Sequence, residues 1–176
     1  MRLIDTPITG AWLVAPDART DERGFFARLW SRDEYAEKGL RGDFINCNNS
    51  LSNLKGTLRG LHYQVAPHEE VKLVRCVRGR LFDVLVDMRA GSATRGRWFG
   101  TELNAENRML MYVPEGCAHG YLSLEDNCEV VYFSTAPYAA QAERGVRWND
   151  PSIGIAWPIE PTVFSAKDRL WADLSL

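Results

Sequence analysis

The stretch RLFDVLVDM, residues 80–88, decides the fold class. Its even positions Phe82, Val84, Val86 and Met88 are apolar, while Asp83 and Asp87 share the opposite side. Side chains of a strand alternate between faces, so this period of two predicts a half-buried β-strand with one face turned to the core. Upstream, VKLVRCV at 71–77 is a second such run, and Arg78-Gly79 between them supplies a residue tolerant of positive φ. A β-hairpin over 71–77 and 80–88 is therefore expected.

Moving outward in both directions, further short runs carry the same signature: GAWLV at 10–14, FINCNNS at 44–50, TLRGLHYQ at 57–64, RWFGTEL at 97–103, MLMYV at 109–113 and EVVYFST at 129–135. Asn104–Asn107 and Glu125–Asn127 read as turns between them. One helix is predicted over 31–38, with Ser31 and Glu34 at capping-box spacing and Gly39 able to end it. A short helical turn is expected near Ser165. Many closely spaced strands, with no linker and no fixed-period repeat, predict an all-β antiparallel jelly roll with a few short peripheral helices.

The chain has 176 residues, 45% of them hydrophobic, enough for one compact domain over 1–176. With 21 basic and 23 acidic residues the formal charge is −2, so no broad field would draw the surface onto nucleic acid or an anionic membrane. Any anion site must be local. Cys47, Cys76, Cys117 and Cys128 form no CxxC pair and read as reduced, buried small apolar residues. The N-terminus MRLIDTPITGAWLV has no basic start leading into a sustained apolar run, so a soluble, cytoplasmic protein is expected.

Three histidines, His62, His68 and His119, are the natural candidates for acid-base chemistry. His62 lies in a polar and aromatic strand segment, and His119 follows a Pro-x-Gly-x-x turn. Strict alternation sets Arg59 and His62 on opposite faces, but Gly60 between them marks a β-bulge that would re-aim one of the two. Pro114-x-Gly116-x-x-His119 resembles the second cupin motif, and Gly60 through His62 to Glu69 or Glu70 and Gly79 partly resembles the first. Metal-binding cupins carry His-x-His there, whereas this chain has His62-Tyr63-Gln64.

A narrower resemblance is carried by seven strings in order: DERGFF at 21–26, KGTLRGLHYQ at 55–64, EVKLVRCVRGRLFDVLVDMR at 70–89, VPEGCAHGYLSLED at 113–126, Tyr132 with Tyr138, ERGVRWNDPSIGIAWP at 143–158 and SAKD at 165–168. Together they are similar to the dTDP-4-dehydrorhamnose 3,5-epimerase family. The resemblance implies a cupin jelly roll without metal or cofactor and a homodimer whose subunits share residues at each site. The implied substrate is a nucleotide-diphosphate 4-keto-6-deoxy sugar, with no nucleic acid or membrane as partner.

It also implies roles. Inverting a carbon beside a ketone needs a base on one face, an acid on the other and a cation or donor where enolate charge develops. By motif position His62 is the base, Tyr132 the acid, Lys72 the enolate stabiliser and Asp168 the partner of His62. Arg23 and Arg59 would hold the diphosphate, with Asn48, Asn49, His119, Glu143 and Lys167 around sugar and nucleotide and Tyr138 stacking on the base. Arg28 stands where many members of the family carry Glu, and Cys47 where they carry Gln; both are expected to touch the nucleotide, which leaves its base open.

Local reading leaves plainer roles in place: Lys72 as an edge-strand lysine, Tyr132 as a core aromatic, Asp168 as a cap partner of Ser165. The competing functions are a metal-dependent cupin dioxygenase or isomerase using His62 and His119, a mono-epimerase on a CDP- or GDP-linked sugar, and a non-catalytic sugar-binding cupin.

Overall fold

The computed structural model describes residues 1–174. The strands are β1 (Arg2–Asp5), β2 (Trp12–Ala15), β3 (Arg19–Asp21), β4 (Gly24–Phe26), β5 (Asn46–Ser52), β6 (Leu58–Gln64), β7 (Lys72–Arg78), β8 (Arg80–Asp87), β9 (Trp98–Asn104), β10 (Leu110–Val113), β11 (Cys117–Ser123), β12 (Cys128–Ser134) and β13 (Glu143–Gly145). Two antiparallel sheets face each other as a jelly roll, ordered β1-β2-β10-β7-β12-β5 and β13-β6-β11-β8-β9, while β3 and β4 form a separate two-stranded arm. The jelly roll read from the spacing of runs is the fold observed. No described helix is long and apolar enough to cross a membrane.

The expected hairpin over 71–77 and 80–88 does not form. β7 pairs with β10 and β12, whereas β8 pairs with β11 and β9 in the other sheet. Gly79, at φ +74°, turns the chain across the edge of the sandwich instead of back along itself. Local turn chemistry is the same for both outcomes, and the partner strands decide between them.

β8 also departs from the half-buried reading, because both its faces are covered. Leu81 and Leu85 join Leu13, Val74, Cys76 and Leu103 in the core between the sheets. Val84 and Val86 pack on the outer side against Val146 and Ile153 of the C-terminal segment, with Trp157 alongside. Asp83 and Asp87, which periodicity alone would send to solvent, are fully buried.

The outer face of the larger sheet is covered by a third cluster in which Tyr35 packs on Leu73 and Tyr112, with Trp30 and Phe44 beside them. Tyr35 comes from α1 (Arg32–Glu37), a helix too short to persist alone. Burial of Tyr35, worth about 2 kcal/mol, holds the helix in place. Ser31 is the N-cap residue but its side chain makes no capping hydrogen bond, so the capping box does not form. Gly39 ends the helix as expected, at φ +71°, and the Leu40 N–H donates to the Tyr35 carbonyl. Near Ser165 there is a turn over 166–169 and no helix.

Candidate active site

Between the sheets, β6 and β11 of one layer face β5, β7 and β12 of the other across two adjoining cavities of about 350 and 390 Å³ that share part of their lining. One is walled by Ser50, Arg59, His119, Tyr121, Lys167 and Asp168, among others, and the second by Asn46, Asn48, Gln64, Glu70, Tyr138 and Glu143. His62, Lys72 and Tyr132 line both. The three residues expected to carry the chemistry thus stand where the two lobes meet.

Arg59 and His62 reach the same cavity through an irregularity at Gly60. His119 is the register partner of His62 and Tyr121 of Arg59, so two steps along β11 oppose three along β6. That extra residue is the predicted bulge. Gly60 sits at φ +126°, and a Cβ on it would lie 2.5 Å from the Cα of Gly120 and 2.8 Å from the His119 carbonyl oxygen. Only glycine allows the two strands to close at this point.

His62 Nε2 lies 2.5 Å from Asp168 Oδ1, with the imidazole one quarter exposed and the carboxylate almost wholly enclosed. Ser165 Oγ accepts the Asp168 N–H at 3.1 Å, which fixes the turn presenting the carboxylate. Burial opposes the charge on Asp168, but hydrogen bonds from His62, Ser165 and the Gly60 backbone outweigh it and hold the carboxyl below its ordinary range. An ionised carboxylate only accepts, so Nε2 carries the hydrogen and Nδ1 the lone pair. Asp168 therefore serves both as the cap-like partner of Ser165 and as the partner of His62.

Lys72 Nζ forms an ion pair with Glu70 Oε1 at 3.1 Å, both side chains largely buried. Tyr132 packs against the inter-sheet core with its ring and borders the cavities, joining the plain aromatic reading to the functional one. Burial pushes its phenol above the ordinary value, and the charge of Glu70 pushes the same way. Glu143 accepts from Lys167 Nζ at 2.7 Å and from the Tyr138 hydroxyl at 3.1 Å. Although burial works against its charge, the Lys167 bond and the nearby His62 keep Glu143 below the usual carboxylate range. Arg59 donates to Ser52 Oγ and the Leu51 carbonyl, fixing its guanidinium at the cavity rim.

Not every expected residue converges. Arg23 stands at the tip of the β3–β4 arm, paired with Asp21 at 2.6 Å and 83% exposed. Arg28 borders a separate depression of about 190 Å³ with Met1, Asp17, Arg19, Phe26 and Glu34. On β5 the alternation sends Asn46, Asn48 and Ser50 inward and leaves Cys47 and Asn49 exposed, with Asn49 donating to Glu129. Cys47 is also the exception among the cysteines, since the other three are buried as expected.

Other residues at the site were not read from the sequence as part of its chemistry, Glu70 having figured only as a position in the first cupin motif. Asp83 accepts from His119 Nε2 at 2.9 and 3.0 Å and was masked as the solvent face of a half-buried strand. Trp171 packs on Gly145 with its ring edge-on to His62 at 6.1 Å. Glu70 falls on the cavity side of Lys72 by simple i, i+2 parity, a clue legible only once that face was known. As for metal, His62 and His119 oppose each other, but each directs Nε2 to its own carboxylate. Among the described residues no three His, Cys, Asp or Glu side chains converge as a ligand set.

A jelly roll with a His–Asp pair, an ammonium and a phenol lining a cleft between its sheets marks a cupin-like enzyme. Residues 5–175 match the sequence model of dTDP-4-dehydrorhamnose 3,5-epimerase. The chain is 44% identical to the dTDP-4-dehydrorhamnose 3,5-epimerase of Methanothermobacter thermautotrophicus, over 98% of this chain and 94% of that protein. The crystal structure of the Elizabethkingia anophelis enzyme of the same name superposes with a TM-score of 0.95 at 38% identity, covering 98% and 96% of the two chains. A Legionella pneumophila dTDP-6-deoxy-D-glucose-3,5-epimerase, solved in complex with dTDP-4-keto-L-rhamnose, gives 0.89 at 38% identity, covering 95% and 89%. The chain belongs to the dTDP-4-dehydrorhamnose 3,5-epimerase family.

Proposed function

We propose that residues 1–176 form one epimerase domain that inverts C3 and C5 of a nucleotide-linked 4-keto-6-deoxyhexose, with dTDP-4-dehydro-6-deoxy-D-glucose as substrate. The observation that carries this reading is the meeting of His62, Lys72 and Tyr132 at the junction of the two cavities. A C–H beside the C4 ketone is acidic because the electron pair left behind spreads onto oxygen. His62 Nδ1 takes that proton, and the imidazolium formed lies against the Asp168 carboxylate. Lys72 neutralises the enolate oxygen. Tyr132 then donates its phenolic proton to the same carbon from the other face, restoring the ketone with inverted configuration. Burial keeps the phenol protonated and so able to act as the acid.

Arg59 is the cation for the diphosphate, and Glu143, Lys167 and Tyr138 are the wall for sugar or base. Arg23, Arg28, Cys47 and Asn49 fit this scheme through a homodimer, in which the exposed β3–β4 arm of one subunit completes the site of the other. Among the described residues the arm forms β-ladder pairs only with itself, and it leaves Phe26 67% exposed, which supports that role.

Incubation with dTDP-4-keto-6-deoxyglucose in D₂O tests the proposal. Solvent deuterium is expected at both C3 and C5, with activity unchanged by chelators. Exchange at one carbon reassigns the protein as a mono-epimerase, and no exchange with dTDP-, CDP-, GDP- or UDP-linked 4-keto sugars overturns the reading. Tyr132→Phe is expected to retain proton abstraction while losing inversion.

A further inference from the structure

We propose that Glu70 is a positioning residue of this site, holding the Lys72 ammonium at the cavity wall and placing a negative charge in the cavity that Tyr132 borders. The proposal rests on the epimerase reading for what the two groups do, and on geometry for how Glu70 acts on them. Glu70 Oε1 lies 3.1 Å from Lys72 Nζ, and the two side chains are only 13% and 14% exposed. Among the described residues this carboxylate is the one ion-pair partner of Lys72. Glu70, Lys72 and Tyr132 border the same cavity.

The backbone between the two charged residues is fixed. The Val71 N–H donates to Thr135 Oγ1 at 2.9 Å, and the Val71 carbonyl accepts the Thr135 N–H at 3.1 Å. Val71 itself is buried in the outer cluster, so residues 70 and 72, two apart, are held on the opposite, cavity-facing side. Glu70 is therefore anchored to the end of β12, the strand that carries Tyr132.

A pre-formed carboxylate–ammonium pair has a consequence for catalysis. A neutral ketone oxygen competes poorly for an ammonium already engaged by a carboxylate, whereas an enolate competes well. The interaction with Lys72 thus strengthens as negative charge develops, which acts on kcat more than on KM. The charge of Glu70 also disfavours a phenolate at Tyr132, and Arg59 acts in the opposite sense. The other titratable or charged groups on the cavity walls are His62 and Tyr63 on β6, Lys72 on β7, His119 and Tyr121 on β11, Tyr138 after β12, Glu143 on β13, and Lys167 and Asp168 in the turn at 166–169.

Glu70→Gln keeps the shape and removes the charge. Two measurements on the full-length variant decide the matter. Without substrate, the Tyr132 phenol is titrated by its phenolate absorbance, using Tyr132→Phe as the reference; it is expected to ionise at lower pH in Glu70→Gln than in the unaltered protein. With dTDP-4-keto-6-deoxyglucose, kcat is expected to fall on the order of tenfold while KM stays within about twofold. Glu70→Asp is expected to recover part of both. An unmoved phenol titration, or a KM that rises as much as kcat falls, overturns the proposal. If the unaltered protein turns over no 4-keto sugar but the titration still shifts, the epimerase reading fails and the coupling of Glu70 to Tyr132 stands.

Discussion

His62 and His119 face each other as register partners on β6 and β11, yet each directs Nε2 to a separate buried carboxylate, Asp168 at 2.5 Å and Asp83 at 2.9 Å. Their surroundings differ. The His62 side chain is 25% exposed against 9% for His119, and it alone of the two borders both lobes of the cavity. Under the proposed function, opposed imidazoles with independent anchors divide the work: the more exposed His62 takes the proton while the buried His119 serves as a polar wall.

Asp168→Asn tests that division. An amide can still accept a hydrogen bond from Nε2, but it cannot neutralise the imidazolium formed when His62 takes a proton. A fall in kcat of roughly 10- to 100-fold is expected with little change in KM, measured by steady-state kinetics alongside deuterium exchange. A variant retaining most of the original kcat would remove Asp168 from the catalytic arrangement.

Gly60 is where strand parity and site geometry meet. Its bulge brings Arg59 and His62 into one cavity, and its missing Cβ lets β6 approach Gly120 of β11. In Gly60→Ala the new methyl would fall 2.5 Å from the Gly120 Cα, at a φ that L-residues rarely adopt. Separation of the strands is expected to cost about 2–4 kcal/mol of stability and most of the activity. Denaturant unfolding of the two proteins checks it; a midpoint within error of the parent contradicts the close-approach argument.

The same residue shows how far the sequence could be read. A lone glycine between Arg59 and His62 was enough to predict the bulge, because few other reasons place glycine inside a strand. The strands of the jelly roll were legible from period-two runs, and His62, Lys72, Tyr132 and Asp168 from their place in the family strings. What failed to show was long-range. Arg78-Gly79 permits a hairpin or a crossing between sheets, and only the distant strands β10, β11 and β12 choose the crossing. Asp83 and Asp87 looked like a solvent face because local alternation cannot reveal that a second layer covers it. Arg23 and Arg28 were recognisable as motif residues, but a motif does not say whether a side chain reaches the cavity of its own chain, and neither does so.

Cys47 departs from the buried-thiol expectation in a way that is easily measured. It is exposed on β5, whereas Cys76, Cys117 and Cys128 are buried, and burial pushes the Cys117 thiol up to about 12. An aromatic disulfide reagent added to the native protein at pH 8 is expected to release one fast equivalent of thiolate, which Cys47→Ser abolishes. Three further equivalents should follow only on unfolding. If a homodimer covers this face, dilution below its dissociation constant will speed the fast phase.

Asp87 supplies a stability prediction with a defined dependence on pH. Its carboxylate is wholly buried and accepts from the Arg89 N–H, Nε and Nη2, the Ser92 hydroxyl and the Thr94 hydroxyl, the last two at 2.6 Å. Burial disfavours its charge, but the bonds from Arg89, Ser92 and Thr94 prevail and hold the carboxyl far below its ordinary value of 3.8. A group whose folded-state pKa is depressed contributes in full above its unfolded value, and the contribution is lost as pH falls toward the folded one. Asp87→Asn removes the charge while keeping the shape, at an expected cost on the order of 3 kcal/mol near pH 7. Below about pH 4 the unaltered protein should lose this advantage and the variant should not, so the gap between them narrows with acidification. Denaturant unfolding at pH 7, 5, 4 and 3 measures it, and a gap that stays constant across that range would show that the Arg89 network draws nothing from the ionised carboxylate.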